Sequence, residues 1–250
     1  MTGLLQGRTA IVTGAASRRG LGRATATLLA AHGARVAILD IDGEAAAAAA
    51  SDLGDSHMGL ACDVTDKDAC AAAADTCLAR WGQVDVLVNN AGVSEPLKLM
   101  EIAPHNYERV TGVNLGGTLF MSQAVVPAMR DRARGSIINI ASVSGQRGGG
   151  IFGGPHYAAA KAGILGLTKA MARELAGDGV RVNAICPGLI DTDITTGMPD
   201  SQRRDLIAAI PMGRIGVPAD VAGCVLFLAS DLSAYCTGTE VDVNGGSHIH

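Results

Sequence analysis

The 250-residue sequence is poor in aromatic side chains, with Phe, Tyr and Trp together making up 3%. That argues against antibody-like or lectin-like β architectures, whose cores lean on such rings. No stretch approaches the roughly eighteen unbroken apolar residues of a membrane-spanning helix, because Gly, Asn or Asp interrupts the longest candidates. Residues 1–8 show no basic-then-apolar secretory pattern, and Gly14 breaks the first apolar run. An excess of one charge sign is lacking too: 20 Lys and Arg against 24 Asp and Glu leave a formal charge of −4. This balance offers no broad field for nucleic acid or an anionic membrane, and neither is expected as a partner. Six cysteines, at positions 62, 70, 77, 186, 224 and 236, form no C-x-x-C pair and no metal-ligand pattern. They read as buried, reduced packing residues, which fits a cytoplasmic protein. His248 and His250 could chelate a metal, but they lie on a terminal tail, and no metal is expected.

What is present is material for a core: 48% hydrophobic residues, 18% charged residues and 33 glycines. Short β-branched runs fall at 9–13, 35–40, 58–63, 84–89, 136–141, 180–186 and 240–243. Segments of helical spacing lie between them, at 20–32, 43–53, 66–81, 105–129, 155–176 and 218–230. Strands that are nearly all apolar must be covered on both faces, as in a parallel sheet. The alternation therefore predicts a single α/β domain with a doubly wound parallel β-sheet of about seven strands, joined by right-handed crossovers. The alanine run 45–50 belongs to a small-residue helix. Two excursions interrupt the pattern: a glycine-rich loop over 145–155, and a longer segment over 188–217 with a polar helix near 201–210. Both follow the carboxyl ends of strands, the edge where open α/β sheets bind ligands, and the second reads as a substrate loop or lid.

The first strand runs into Thr13-Gly14-Ala15-Ala16-Ser17-Arg18-Arg19-Gly20-Leu21-Gly22, which opens a helix. Glycines there allow a sharp turn and let backbone N–H groups approach a pyrophosphate at the helix amino end. Asp40 closes the second strand, where a carboxylate accepts hydrogen bonds from ribose hydroxyls and repels a 2′-phosphate; this favours NAD over NADP. Arg18 and Arg19 pull the other way, since a cation in the glycine turn could pair with that phosphate.

Tyr157 and Lys161 stand four apart in a helical segment that Pro155 begins, so their side chains share one face. A phenol, with an ordinary pKa of about 10, is too weak an acid to work as a base near neutrality. A neighbouring ammonium favours the phenolate and brings it toward working pH. Ser142, at the end of the fifth strand, can donate to a substrate oxygen held against Tyr157.

Taken together, Thr13-Gly14…Gly20-x-Gly22, Asn89-Asn90-Ala91-Gly92, Asn114, Ser142, Tyr157-x-x-x-Lys161, Pro187-Gly188 and the closing Asp242-Val243-Asn244-Gly245-Gly246 occur in one order over essentially the whole chain. They resemble the short-chain dehydrogenase/reductase family, in its compact form of about this length. The resemblance implies a Rossmann-type fold, a nicotinamide dinucleotide cofactor and usually a homotetramer, with helices 105–129 and 155–176 at one interface. It implies Tyr157 as general acid/base, Lys161 as its partner on the nicotinamide ribose, Ser142 orienting substrate, and Asn114 holding a water that links Lys161 to solvent. Cofactor contacts carried over are Gly14, Ser17, Arg19, Gly20, Leu21 and Gly22 in the turn, then Asp40 and Ile41. Asp63 and Val64 fall near the adenine, and Asn90, Ala91 and Gly92 along the ribose. Pro187, Gly188, Ile190 and Thr192 fall at the nicotinamide. One departure is visible: Gly14 and Gly20 are six apart, where the family spaces them four apart.

The substrate pocket is expected among 94–97, 144–156 and 193–212. Arg147 could clamp an anionic substrate group or simply be solvated on its loop, and His156 could meet hydroxyls of a polyol or sugar. The expected activity is interconversion of a small secondary alcohol (polyol, sugar or hydroxy acid) and its ketone with NAD(H). The alternatives are an NADPH-dependent 3-oxoacyl-thioester reductase and a dinucleotide-binding protein without turnover.

Overall fold

The computed structural model describes residues 3–250. Seven parallel strands form one sheet in the order β3-β2-β1-β4-β5-β6-β7: β1 Thr9–Thr13, β2 Arg35–Asp40, β3 Met58–Ala61, β4 Val86–Asn89, β5 Gly135–Ile140, β6 Val180–Pro187 and β7 Glu240–Val243. The helices are α1 Leu21–Ala31, α2 Gly43–Ser51, α3 Lys67–Trp81, α4 Pro104–Thr111, α5 Gly117–Asp131, α6 Val143–Arg147, α7 Pro155–Leu175, α8 Asp200–Ala208 and α9 Pro218–Ala229. This is a single Rossmann-type α/β domain, as the alternation of segments predicts. No helix among the described residues is long and apolar enough to cross a membrane.

The side-chain alternation of each strand feeds two separate cores. Ala10 and Val12, Val36 and Ile38, and Val86 and Val88 pack with α1, α2 and α9 on one face. Ile11, Ala37, Leu39, Leu87 and Ile137 pack with α3, α5 and α7 on the other. The alanine run forms α2, which buries Ala46, Ala49 and Ala50; the Asp42 carboxylate caps it by accepting the Ala45 N–H at 2.9 Å. Strand order reverses between β1 and β4, so the crevice of an open α/β sheet opens at their carboxyl ends.

Three local features differ from expectation. The helix predicted over 105–129 is interrupted by a wide π-turn at Gly112–Gly116, and α4 and α5 flank it. Its cause is visible at Asn114, which is fully buried and turns its amide inward, donating to Val93 O and Val110 O at 2.8 Å each. The glycine-rich loop begins as the short helix α6, since the Ser142 hydroxyl caps it by accepting the Ser144 N–H at 3.1 Å. Of the six cysteines, Cys62, Cys70, Cys77 and Cys186 are buried as expected, but Cys224 and Cys236 are only half-buried; all six are free thiols.

Candidate active site

The glycine turn is shaped by contacts with the β4 loop. Gly14 takes φ +60°, and a Cβ there would stand 2.7 Å from Ala91 Cα. A Cβ on Gly22 would meet Asn90 Nδ2 at 2.5 Å and Gly14 O at 2.7 Å. Asn90 donates its side-chain amide to Thr13 O and Gly14 O at 2.8 Å each, while the Thr13 hydroxyl accepts the Asn90 and Ala91 N–H groups at 3.0 Å. Thr13 is thus a site-building residue that sequence reasoning passed over, though it heads the motif. Gly20 is the N-cap of α1, and Leu21 and Gly22 form its first turn, so their N–H groups point out of the helix end.

Asp40 stands half-buried at the end of β2, its carboxylate accepting the Ala16 N–H at 3.0 Å. Ile41 follows it, fully on the surface rim. Asp63 is exposed and accepts from the Thr65 N–H and hydroxyl at 2.9 and 2.8 Å, while Val64 is buried against Gly117. Pro187 ends β6 and Gly188 passes so close to Asn244 that a Cβ would lie 2.8 Å from its Cα. Ile190 turns its side chain into the core beneath α9, leaving its backbone as the part available to a ligand. Thr192 is buried at the start of a single helical turn, where its N–H meets the Thr195 hydroxyl at 3.2 Å.

Tyr157, Lys161, Ser142 and Asn114 converge at the carboxyl ends of β4 and β5. The Lys161 ammonium lies 5.7 Å from the Tyr157 ring centre and donates to Ile140 O at 2.8 Å. Burial lowers the lysine to about 8. Burial also raises the Tyr157 phenol, and the Ser142 hydroxyl opposes that by hydrogen bonding to it. In the chain alone, desolvation thus outweighs the acidifying neighbour that the four-residue spacing suggests. The Ser142 oxygen accepts the Ser144 N–H with one lone pair, and its own proton remains available to donate. Asn114 Oδ1 is buried with no partner among the described residues. A Cβ on Gly92 would reach it at 2.7 Å and the Lys161 ammonium at 3.5 Å, so all three edge one small space.

A buried polar chain holds α7 against the sheet. Asn89 donates to Asn139 Oδ1 at 2.9 Å, and Asn139 donates to the Thr168 hydroxyl at 2.9 Å. The signal available in sequence was a single Asn inside the apolar run of the fifth strand.

The two substrate candidates are placed elsewhere. Arg147 is exposed and donates to Ser247 O at 2.9 Å, so its guanidinium engages the carboxyl-terminal tail. His156 is 3% exposed and faces inward, its Nε2 3.5 Å from Glu95. Its neighbour Tyr157 faces the crevice, and adjacent residues on a helix diverge by about 100°, which turns the imidazole into the protein. Glu95 also accepts from Asn106 at 3.0 Å and from Arg109, and these partners hold its carboxyl below the usual range against the effect of burial. No motif in the sequence marked Glu95 as the junction of these segments.

A parallel sheet with its order reversed beside a glycine turn, and a half-buried tyrosine with a buried lysine and serine at that edge, define a Rossmann-type oxidoreductase. A family profile described as enoyl-(acyl carrier protein) reductase matches residues 14–248. The chain is 54% identical to an uncharacterised short-chain type dehydrogenase/reductase of Sinorhizobium fredii, over 99% of this chain and 100% of that one. It is 43% identical to the 3-oxoacyl-(acyl-carrier-protein) reductase FabG of Escherichia coli, over 98% of each chain. An uncharacterised oxidoreductase of Mycobacterium bovis is 45% identical over 100% of both. The chain belongs to the short-chain dehydrogenase/reductase family, whose members work with a nicotinamide dinucleotide.

Proposed function

We propose that this chain is an NAD(H)-dependent oxidoreductase interconverting a small secondary alcohol of polyol, sugar or hydroxy acid type and its ketone. The observation that carries the reading is the meeting of Ser142, Tyr157 and Lys161 beside the glycine turn, with Asp40 at the end of β2. The residues fit the cofactor: Gly14 and Gly22 pack so closely on the β4 loop and on the turn itself that neither could carry a Cβ, which keeps the turn tight beside the α1 N-terminus, and the ammonium of Lys161 uses one of three donors on Ile140 O. When bound, the nicotinamide supplies the hydride acceptor or donor. The turn and the α1 N-terminus would hold the pyrophosphate, and Lys161 a ribose. Asp40 accepts the Ala16 N–H on one oxygen and the Asp42 N–H on the other; its remaining lone pairs would serve ribose hydroxyls, and its charge would face a 2′-phosphate.

Ser142 donates to the substrate oxygen and positions it, while Tyr157 takes the hydroxyl proton in oxidation and returns it in reduction. Lys161, lowered to about 8, is poised to exchange protons near physiological pH, and Asn114 Oδ1 offers an acceptor beside it for a relay to solvent. Around this site we place a cytoplasmic homotetramer without nucleic-acid or membrane partners. In support, an apolar groove of about 600 Å³, lined by Leu115, Leu119, Gly163 and Leu167, lies between α5 and α7 and suits a second copy.

A second reading, an NADPH-dependent 3-oxoacyl-thioester reductase, is supported by the 43% identity to FabG and opposed by Asp40. The test is a panel of polyols, hydroxy acids and acyl-thioesters assayed with both cofactors, on the wild type and on Tyr157→Phe. Turnover of secondary alcohols with NAD and loss of at least about a hundredfold in the variant, with NADH binding kept, are expected. Thioester reduction with NADPH alone would favour the second reading. An active Tyr157→Phe would overturn the assignment of the acid/base.

A further inference from the structure

Resting on the dinucleotide-binding reading above, we propose that Ser17 and Arg19 of the lengthened glycine turn tie the 188–210 segment across the crevice, and that this ionic strap governs how fast the dinucleotide leaves. The Arg19 guanidinium lies 3.2 Å from Asp191 Oδ1 and 3.9 Å from Asp193 Oδ1, and donates to the Thr196 hydroxyl at 3.3 Å. The Ser17 hydroxyl donates to Asp193 Oδ2. On the far side Asp191 is a junction, accepting from Thr195 at 2.9 Å and from Arg203 of α8 at 3.2 Å. The hydroxyl and guanidinium of the turn thus reach a pair of carboxylates about 170 residues away.

The path of the strap follows from sheet order. The glycine turn leaves β1 and the carboxylates follow β6, with β4 and β5 between them. Three strand spacings of about 4.8 Å make a span of roughly 14 Å. Beneath it lie the ends of β4 and β5, where Asn90, Ala91, Gly92 and Ser142 stand. Anything bound along those ends is crossed by the strap and cannot leave sideways past it while the strap is closed.

Gly14 and Gly20 are six apart, and Ser17 and Arg19 stand between them with their side chains on the 191–196 segment. Arg19 is about half exposed and Asp193 more so, and such pairs add little to global stability and weaken in salt. A bridge of that strength opens readily, which suits a gate better than a structural clamp. Arg19 is a positioning residue on this account: its charge is committed to the strap and not to the cofactor.

The test is stopped-flow displacement of NADH, or of NADPH if the wild type binds only that, at low and high ionic strength. Arg19→Met and Asp193→Asn are each expected to speed dissociation by roughly three- to tenfold. The double variant should be no faster than the quicker single one. Arg19→Lys, keeping the charge, should stay near wild type. Wild-type dissociation should quicken with salt, and Arg19→Met should lose that dependence. Dissociation that is unchanged in Arg19→Met, or equally salt-dependent with and without the guanidinium, overturns the strap while leaving the oxidoreductase reading intact. A wild type that binds neither nucleotide overturns both.

Discussion

Replacing Lys161 with methionine should make the protein more stable while making it inactive. The ammonium is 4% exposed and its pKa falls from the ordinary 10.5 to about 8. That difference corresponds to roughly 3 kcal/mol of penalty on the charged form at neutral pH. Methionine matches the side chain in length and carries no charge, so the penalty goes. What is lost is the 2.8 Å hydrogen bond to Ile140 O, and a buried carbonyl left without a partner costs about 1–2 kcal/mol. Lys161→Met should therefore be about 1–2 kcal/mol more stable at pH 7, a rise of a few degrees in Tm for a chain of this size.

The pH dependence gives a sharper signature. Between about pH 8 and 10.5 the unfolded lysine keeps its proton and the folded one does not, so wild-type stability rises with pH relative to the variant through that window. The gap should close and then reverse, because at high pH only the lost hydrogen bond distinguishes the two proteins. Taking the difference between wild type and variant cancels the titration of thiols and phenols that do not interact with Lys161; Cys186, which does, is pushed up to about 12 by burial and keeps its proton in the folded state through this window. Urea unfolding followed through Trp81, the single tryptophan, reads this directly. A variant that is less stable at pH 7, or a gap that does not change between pH 7 and 10.5, would refute the reasoning.

Two further outcomes follow from close contacts. Gly22→Ala drives a Cβ to 2.5 Å from Asn90 Nδ2 and 2.7 Å from Gly14 O, so dinucleotide affinity measured by fluorescence titration should fall more than about tenfold, with a lower Tm; unchanged affinity would contradict the cradle. Asp40→Ala removes the acceptor of the Ala16 N–H and the charge facing the ribose, so the ratio of NADPH to NADH affinity should rise at least about tenfold. A ratio that stays put would place selectivity elsewhere in the turn.

Much of the architecture could be read locally. The runs at 9–13, 35–40 and 240–243 match β1, β2 and β7 end for end; β1 and β2 are covered on both faces and announce themselves as continuous apolar or β-branched stretches, while the edge strand β7 shows only the alternation of Val241 and Val243 with acidic residues. The four-residue separation of Tyr157 and Lys161 was equally readable, being a property of any helix. Positions 112–116 were not. Their apolar spacing suits an ordinary helix, and only the inward pull of Asn114 toward Val93 O explains the widened turn. The partners of Arg147 and His156 were hidden for a related reason. Arg147 found the Ser247 carbonyl a hundred positions on, and His156 found Glu95 on the loop after β4.

By itself the amino-acid sequence determined the alternation of strand and helix, the glycine turn beside β1 and the presence of Ser142, Tyr157, Lys161 and Asn114. These are matters of period, spacing and residue chemistry within a few positions. Tertiary structure alone decided that Arg19 meets Asp191, that Asn139 ties α7 to the sheet, and that the space beside Gly92 joins the Lys161 ammonium to Asn114. Such partners lie far apart along the chain and are chosen by how layers pack. Burial, which sets the lysine near 8 and lifts the tyrosine, likewise exists only once those layers have closed.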